Sequence, residues 1–160
     1  MKTLCIVRHA KTEVQMQGQR DFDRRLAPRA YTDVPAVCKQ LKSLKVSPDA
    51  IVSSPAIRAI STAGLLAEKL NFDQEQIIQN AVIYDASLNT LVKVVKAFDD
   101  NFDTVFLLGH NPGLTLLANF FCLPPILHIP TSGVVCIDFE IAQWKSVSGI
   151  GGKQRFFIQA

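Results

Sequence analysis

Two apolar runs in the middle of the chain constrain its fold more than any other feature. DAIVSS and DTVFLLGH do not alternate polar and apolar residues, a pattern typical of strands that are buried on both faces of a parallel sheet. Comparable short runs predict strands at 3–8, 49–53, 104–109 and 134–140, with a weaker one at 77–83 and another near 155–159.

Longer segments with apolar residues at helical spacing lie between these strands. They predict helices at 32–44, 55–70, 87–99 and 113–122. Strands that alternate with helices favour an α/β fold, here a three-layer α/β/α sandwich whose mostly parallel sheet carries helices on both faces. The length of 160 residues fits one domain, 1–160, with a sizeable core.

Three of the helix starts carry local signals. Ser54 is a favourable N-cap and places Pro55 in the first turn, where the missing amide donor costs nothing. Ser87 is a second candidate N-cap. Pro35 is tolerated if its helix begins at Thr32 or Asp33, because it then also lies in the first turn.

Composition excludes several classes of protein. The net charge of +3 is small and dispersed, and the short run RDFDRR mixes both signs, so we expect no nucleic-acid partner. The four cysteines form no CxxC pair, which argues against a metal or redox motif. No apolar run reaches the length of a membrane span, and the N-terminal run is too short for a signal peptide. We therefore expect a cytoplasmic protein that does not bind membranes.

Polar residues stand at the ends of three predicted strands. Arg8 and His9 follow the first strand, Ser53 and Ser54 end the second, and His110 follows the strand at 104–109. Ligands of open α/β sheets bind beyond the carboxyl ends of the strands. These side chains are therefore expected to meet at one edge of the sheet.

Each candidate also has an ordinary structural explanation. Arg8 and His9 could be polar residues at a solvent-facing strand end, and Arg58 could be a surface arginine. Asp85 could cap a helix, and a lone histidine such as His110 is more often structural than catalytic. Against this, Arg58 lies near a helix N-terminus, where a guanidinium favours anion binding.

His128 is different from His110, because no strand end or tight turn surrounds it. We therefore interpret His128 as a structural residue.

Taken together, VRHA, SSPAIRAISTA and LLGHNPG resemble the three signatures of the histidine phosphatase superfamily, also called phosphoglycerate mutase-like. The stretch DFDRRLAPRAYTDVPAV is similar to the SixA-like phosphohistidine phosphatases. The resemblance spans residue 3 to about residue 140.

The resemblance implies a role for each matching residue. His9 matches the nucleophile that becomes phosphorylated, Arg8 and Arg58 match the phosphate-binding arginines, and His110 matches the second active-site histidine. Asp85 matches the acid of the family only approximately.

The sequence departs from the family pattern at three positions. Ala10 replaces the usual glycine after Arg-His and is small enough to preserve a close backbone approach. Ala30 and Arg25 replace a glycine and a proline that are frequent in the family.

These residues suit phosphoryl transfer. Arginine forks match phosphate oxygens, and neighbouring guanidiniums favour a neutral, nucleophilic His9. Metal binding by His9, His110 and Asp85 is disfavoured by the two arginines beside them, so we expect neither a metal nor a cofactor.

Only about 30 residues separate Ser54 from Asp85, which leaves little chain to cover the site. We therefore expect a phosphohistidine protein as substrate, for example a histidine phosphotransfer domain, and expect phosphate or sulfate to occupy the same site. The alternatives are a phosphatase for small phosphate esters, a non-catalytic module that binds phosphoproteins and, least favoured, a phosphoglycerate mutase.

Overall fold

The computed structural model describes residues 1–160 and contains six strands and four α-helices. The strands are β1 Lys2–Arg8, β2 Ala50–Ser53, β3 Ile78–Gln79, β4 Thr104–Gly109, β5 Val134–Phe139 and β6 Gly152–Ile158. The helices are α1 Ala30–Ser43, α2 Ile57–Lys69, α3 Leu88–Lys96 and α4 Gly113–Phe121. Short 3₁₀ turns lie at Asp21–Asp23, Gln74–Gln76, Ala81–Ile83 and Trp144–Ser146.

All six strands form one sheet in the order β3-β2-β4-β1-β5-β6. The pairs β1/β4, β2/β4 and β2/β3 are parallel, whereas β5 is antiparallel to both β1 and β6. Only β5 therefore runs against the other strands. This arrangement confirms the predicted α/β fold with a mostly parallel sheet.

Residues of one strand alternate between the two faces of the sheet, and each face has its own core. Leu4 and Ile6 of β1 pack into the core that includes α3 and α4, whereas Cys5 and Val7 pack into the core that includes α1 and α2. All four are almost fully buried, and burial of an aliphatic side chain of this size contributes about 1.5–3 kcal/mol. The apolar run of β1 therefore packs against both layers of helices.

The register of β1 and β4 decides where the polar ends meet. Arg8 pairs with Gly109 in the parallel ladder. His9 and His110 are the residues that follow this pair, so the two histidines leave adjacent strands side by side. The sheet thereby brings together residues that lie about one hundred positions apart.

Two predicted helix starts are wrong. Helix α1 begins at Ala30, which places Pro35 in the second turn. Ala30 is completely buried in the core. Its burial favours a helix that begins at Ala30, although Pro35 then lies beyond the first turn. Helix α2 begins at Ile57, so Pro55 lies outside it, and Ser54 is not its N-cap.

Other expectations for local structure hold more closely. Ser87 is the N-cap of α3, since its side chain accepts a hydrogen bond from the Thr90 N–H. The predicted strand at 77–83 shrinks to β3 followed by a 3₁₀ turn, because only Ile78 and Gln79 pair with β2. Helix α3 ends at Lys96, three residues earlier than expected.

No helix in the structure has both the length and the apolar character needed to cross a membrane.

Candidate active site

A cavity of about 500 Å3 opens at the carboxyl ends of β1 and β4. It contains all five residues that the sequence singled out for chemistry. Its lining consists of Arg8, His9, Lys11, Thr12, Asp21, Arg24, Arg58, Tyr84, Asp85, His110, Asn111 and Thr131. Four of these side chains are cationic and two are carboxylates, so the cavity favours an anionic ligand.

His9 directly follows β1 and is only 7% exposed. Its Nδ1 lies 2.8 Å from the carbonyl oxygen of Ala10. A carbonyl can only accept a hydrogen bond, so Nδ1 carries the proton and Nε2 keeps its lone pair. Burial, together with the charges of Arg58 and Arg8, lowers the pKa of His9 from 6.5 to about 4, although the Ala10 hydrogen bond acts in the opposite direction. The imidazole is therefore neutral at pH 7 and able to act as a nucleophile.

Arg8 ends β1 and lies between the cavity and the loop that precedes β5. Its Nη1 donates a hydrogen bond to the carbonyl oxygen of Ile129 at 3.1 Å. Its Nε is buried and has no hydrogen-bond partner within the protein. Burial lowers the pKa of Arg8, but a guanidinium stays protonated in proteins. Arg8 thus retains N–H donors for an anion in the cavity.

Arg58 occupies the first turn of α2 and is only 6% exposed, so it is not a surface arginine. Its Nη1 donates to the backbone oxygen of Asp21 at 2.7 Å, and its Nη2 donates to Asp21 Oδ2 at 2.8 Å. These two bonds use two of its five N–H donors. Three donors are left for other acceptors.

Thr62 connects the first turn of α2 to the segment after β1. Its hydroxyl donates to the Arg58 carbonyl oxygen at 2.7 Å and accepts from the Ala10 N–H at 2.9 Å. The Ala10 N–H is therefore bonded within the protein and is not a donor for a phosphate. Ala10 is completely buried in the core, and a larger side chain would overpack it.

His110 directly follows β4, and its ring centroid lies 5.5 Å from that of His9. Its Nε2 is 2.8 Å from Ser54 Oγ, which also accepts from the Ala56 N–H at 3.2 Å. We therefore assign the hydroxyl proton of Ser54 to the bond with Nε2, which leaves the imidazole proton on Nδ1. Nδ1 is buried without a partner, so it is free to donate to a ligand.

The charge state of His110 follows from the same surroundings. Burial, together with the positive charge of Arg58, lowers the pKa of His110 from 6.5 to about 3. The two histidines are therefore both neutral at pH 7. His9 offers the lone pair of Nε2, and His110 offers the N–H group of Nδ1.

Asp85 lies exposed at the rim of the cavity, with φ at 53°. Aspartate tolerates this left-handed conformation better than most residues. Since Ser87 caps α3, the capping explanation for Asp85 is not supported. His128 is also exposed, but it lies on the loop after α4 and does not line this cavity.

The sequence interpretation missed several residues that shape the site. Asp21, which bonds to Arg58, also accepts from the Tyr84 hydroxyl at 2.8 Å and from Arg24 Nη1 at 3.4 Å. Asp21 and Arg24 lie in the mixed-charge run RDFDRR and in the stretch that resembles the SixA-like phosphatases, but neither pattern assigned them a role in the site. The signal that could have found them is the subfamily stretch that begins at Asp21. Tyr84 carried no signal beyond its position next to Asp85.

No group of three or more His, Cys, Asp or Glu side chains is arranged to hold a metal ion. The donors that converge in the cavity are guanidinium and imidazole N–H groups, together with one imidazole lone pair on His9. Such donors suit the oxygen atoms of a phosphoryl group.

Residues 4–83, half of the chain, match the sequence model of the histidine phosphatase superfamily (branch 1). The chain belongs to this superfamily. Arg8, His9 and Arg58 lie inside the matched range, whereas Asp85 and His110 lie beyond it. The inclusion of His110 in the site therefore depends on the β1/β4 register and on the cavity. Membership, together with this site, identifies a phosphatase.

Solved structures of this superfamily share the fold of the chain along almost its whole length. SixA from Agrobacterium tumefaciens superimposes with a TM-score of 0.83 at 23% identity, covering 99% of each chain. The protein histidine phosphatase SixA complexed with tungstate gives a TM-score of 0.82 at 17% identity, covering 98% of this chain and 96% of its own. A mycobacterial glucosyl-3-phosphoglycerate phosphatase in complex with VO3 superimposes with a TM-score of 0.72 at 16% identity, covering 100% of each chain. These similarities confirm the phosphoglycerate mutase-like fold. No curated protein sequence matches the chain.

Proposed function

We propose that this histidine phosphatase hydrolyses phosphohistidine on a protein, through a covalent phospho-His9 intermediate and without a metal ion. The observation that carries the proposal is the tautomer of His9. Its Nδ1–H is bonded to the Ala10 carbonyl oxygen, so Nε2 has a lone pair in a cavity that three arginines line. A non-catalytic module that binds phosphoproteins would need the arginines but not this nucleophile.

The first step transfers the phosphoryl group to the enzyme. The Nε2 lone pair of His9 attacks phosphorus, a P–N bond forms, and the bond from phosphorus to the substrate nitrogen breaks with its electron pair going to the substrate. Arg8, Arg58 and the Nδ1–H of His110 stabilise the charge on the three equatorial oxygens. The Nδ1–H bond to Ala10 persists and stabilises the positive charge that His9 gains.

The second step returns the enzyme to its starting state. A water molecule attacks phosphorus, the bond to His9 Nε2 breaks, and the electron pair returns to the ring. The water loses one proton to solvent or to phosphate, and inorganic phosphate leaves. The same N–H donors serve both steps because the phosphoryl group stays in one place while its partner changes.

The demand for an acid depends on the leaving group. An imidazole nitrogen protonates near pH 6.5, so it leaves more easily than an alkoxide. Asp85 at the rim of the cavity is the proposed proton donor, and its exposure suits a substrate that needs only modest assistance. We propose metal independence on the same basis, because cationic donors already supply the charge that a metal ion would bring.

An apolar surface beside the cavity favours a protein substrate. Leu116 and Leu127 form this leucine surface, with Leu127 96% exposed. A groove of about 500 Å3 runs along Leu116 and Leu127, and Asn111 lines both this groove and the active-site cavity. A protein that presents its phosphohistidine to the cavity would cover the leucine surface, and burying exposed leucines favours binding.

The loop that carries Leu127 is fixed to α4 by hydrogen bonds. The side chain of Asn119 bonds to both the N–H and the carbonyl of Ile126, at 2.7 and 2.9 Å. Thr115 Oγ1 accepts from the Ile129 N–H at 3.0 Å. Leu127 is thus held in solvent between two anchored residues, so little conformational entropy is lost when a partner binds it.

A phosphatase for a small phosphate ester is the second candidate. One structural neighbour is named for such a substrate, glucosyl-3-phosphoglycerate. The cavity also extends past the phosphate donors to Lys11 and Thr12, which offers polar groups to a small leaving group. Comparison of kcat/KM for phosphohistidine and for sugar phosphates decides between the two.

The test of the mechanism is transient labelling of the enzyme. A histidine phosphotransfer domain carrying ³²P-phosphohistidine is mixed with the protein, and the reaction is stopped within milliseconds to seconds. We expect acid-labile label on the wild-type enzyme, none on His9→Gln, and wild-type labelling on His128→Gln, which changes a histidine outside the cavity. Label that persists on His9→Gln, or phosphate release without any labelled enzyme, would contradict the covalent mechanism.

A further inference from the structure

Asp21 bonds to Arg58 through both its side chain and its main chain. Its Oδ2 accepts from Arg58 Nη2 at 2.8 Å, and its carbonyl oxygen accepts from Nη1 at 2.7 Å. Two parallel bonds to the terminal nitrogens fix the plane of a guanidinium as well as its position. Asp21 lies in a 3₁₀ turn 37 residues before Arg58, so α2 alone does not determine this orientation.

The Asp21 carboxylate is itself held by other residues. The Tyr84 hydroxyl donates to the same Oδ2 at 2.8 Å, and Arg24 Nη1 lies 3.4 Å from Oδ1. Arg24 is in turn fixed by a 2.7 Å bond from its Nη2 to Thr12 Oγ1. Partial burial alone raises the pKa of Asp21, but the bonds from Tyr84 and Arg58 outweigh this effect and lower it. Asp21 is therefore an ionised acceptor at pH 7 and not a proton donor.

We infer that Asp21 is the positioning residue for Arg58, holding the guanidinium so that its remaining donors meet the phosphoryl oxygens. The inference rests on the proposed role of Arg58 in phosphate binding. Asp21 itself makes no contact with the reacting atoms in this mechanism. It acts through the orientation of Arg58, and Tyr84 supports it.

If charge were the only factor, the negative charge of Asp21 would oppose anion binding in the cavity. Asp21 is one of two carboxylates that line an anion-binding cavity, and a carboxylate repels a phosphate. Replacing Asp21 by asparagine at nearly constant shape should then tighten anion binding. If Asp21 positions Arg58, the same replacement should weaken anion binding. The sign of the effect separates the two explanations.

The experiment measures tungstate binding by calorimetry, in wild type and in Asp21→Asn. A charge-assisted hydrogen bond contributes about 1.5–3 kcal/mol, which corresponds to about 10–100-fold in affinity. We expect Asp21→Asn to weaken tungstate binding by roughly 10-fold or more, and Tyr84→Phe to weaken it less. An unchanged or tighter Kd for Asp21→Asn would overturn the inference.

Asp23→Asn is the matched control, because Asp23 belongs to the same 3₁₀ turn but pairs with the exposed Arg20. We expect it to keep the wild-type Kd. The Arg58→Lys background excludes a merely structural role, since positioning has no effect once the guanidinium is gone. Asp21→Asn should therefore weaken tungstate binding in wild type, whereas in the Arg58→Lys background it should leave binding unchanged or tighten it, because only the loss of the negative charge remains. An equal loss in both backgrounds would contradict positioning.

Tungstate binding does not require turnover. A protein that binds tungstate with this pattern, yet leaves phosphohistidine intact, would contradict the proposed function while it supports the role of Asp21. Conversely, normal turnover with unaltered binding in Asp21→Asn would overturn the positioning role alone.

Discussion

Ser54 and His110 meet across two strand ends, with Ser54 Oγ 2.8 Å from His110 Nε2. They lie 56 residues apart in the chain, and the parallel pairing of β2 and β4 brings them together. The hydroxyl also accepts the Ala56 N–H, and we assign its own proton to the bond with His110 Nε2. The bond places the imidazole proton on Nδ1, where a phosphoryl oxygen can accept it.

Replacing Ser54 by alanine removes this control over the tautomer. We expect kcat to fall by roughly 10-fold, because part of the His110 population then carries its proton on Nε2, and a lost hydrogen bond to a charged transition state is of this order. Nitrogen NMR of His110 should show the mixed tautomers directly. Ser53→Ala is the control, since the Ser53 hydroxyl bonds only to the Ser54 carbonyl oxygen. A wild-type kcat in Ser54→Ala would argue against the assignment.

The low pKa values of the two buried histidines in the cavity predict a loss of stability in mild acid. Burial lowers the pKa of His9 to about 4 and that of His110 to about 3, whereas the unfolded chain titrates near 6.5. Below pH 6.5 the unfolded state therefore binds more protons than the folded state, and the free energy of unfolding falls until the pH passes the folded pKa values. The expected loss between pH 7 and 4.5 is on the order of a few kcal/mol.

Urea denaturation at several pH values measures this slope. His9→Gln should reduce it, because one of the two buried imidazoles is gone. Carbon–proton NMR of the rings should show both histidines neutral down to about pH 5. A midpoint near 6.5 for either ring would contradict the effect of burial.

Two glycines in helices predict opposite effects of the same substitution. A Cβ on Gly113, the first residue of α4, would lie 2.8 Å from the Ala86 carbonyl oxygen and 3.0 Å from a Leu91 methyl group. A Cβ on Gly64, inside α2, meets nothing closer than 3.8 Å. Gly113→Ala should therefore lower the free energy of unfolding by about 1–3 kcal/mol. Gly64→Ala should raise it by about 0.5–1 kcal/mol.

Urea denaturation at pH 7 measures both variants. Gly113→Ala presses on the residue after Asp85, so its activity should fall along with its stability. Equal stability of the two variants would show that the Ala86 segment moves without cost.

The leucine surface predicts an effect that depends on the size of the substrate. Leu127→Asp puts a charge where a protein substrate would bury a methyl-rich side chain, so kcat/KM for a phosphorylated phosphotransfer domain should fall at least 10-fold. Hydrolysis of free phosphohistidine should stay unchanged, because Leu127 does not line the active-site cavity. Leu127 is 96% exposed, so the folded state should tolerate the change.

Leu44→Asp is the control for a charge on an exposed leucine. Leu44 is 41% exposed and directly follows α1. It lies in the connection between α1 and β2, and the N–H of Asp49 in this connection donates to the carbonyl oxygen of Thr104, the first residue of β4. It therefore lies toward the edge of the sheet opposite the active site. Equal effects of the two variants, or equal losses on both substrates, would argue against docking at the leucine surface. A wild-type dimer that Leu127→Asp dissociates would instead assign this surface to a second copy of the chain.

Most of the fold and half of the site were predictable from short segments of sequence. Uniform apolar runs identified strands buried on both faces, and Ser87 identified the start of α3, because burial pattern and capping depend on a few neighbouring residues. The polar ends of β1 and β4 predicted the approach of Arg8 and His9 to His110. That prediction needed only the rule that parallel strands share a carboxyl edge.

Tertiary structure decided the contacts within that edge. Ser54 was expected at the same edge as His110 and also carried the local signal of an N-cap; the β2/β4 register decided that its hydroxyl bonds to the imidazole. Asp21 belonged to a run of mixed charge that indicated no contact with Arg58, yet it holds Arg58 across 37 residues. Hydrogen bonds between distant segments depend on strand order and helix packing, which local periodicity does not encode. The sequence by itself thus determined which groups reach the site, and the packing of the whole chain determined how each of them is oriented.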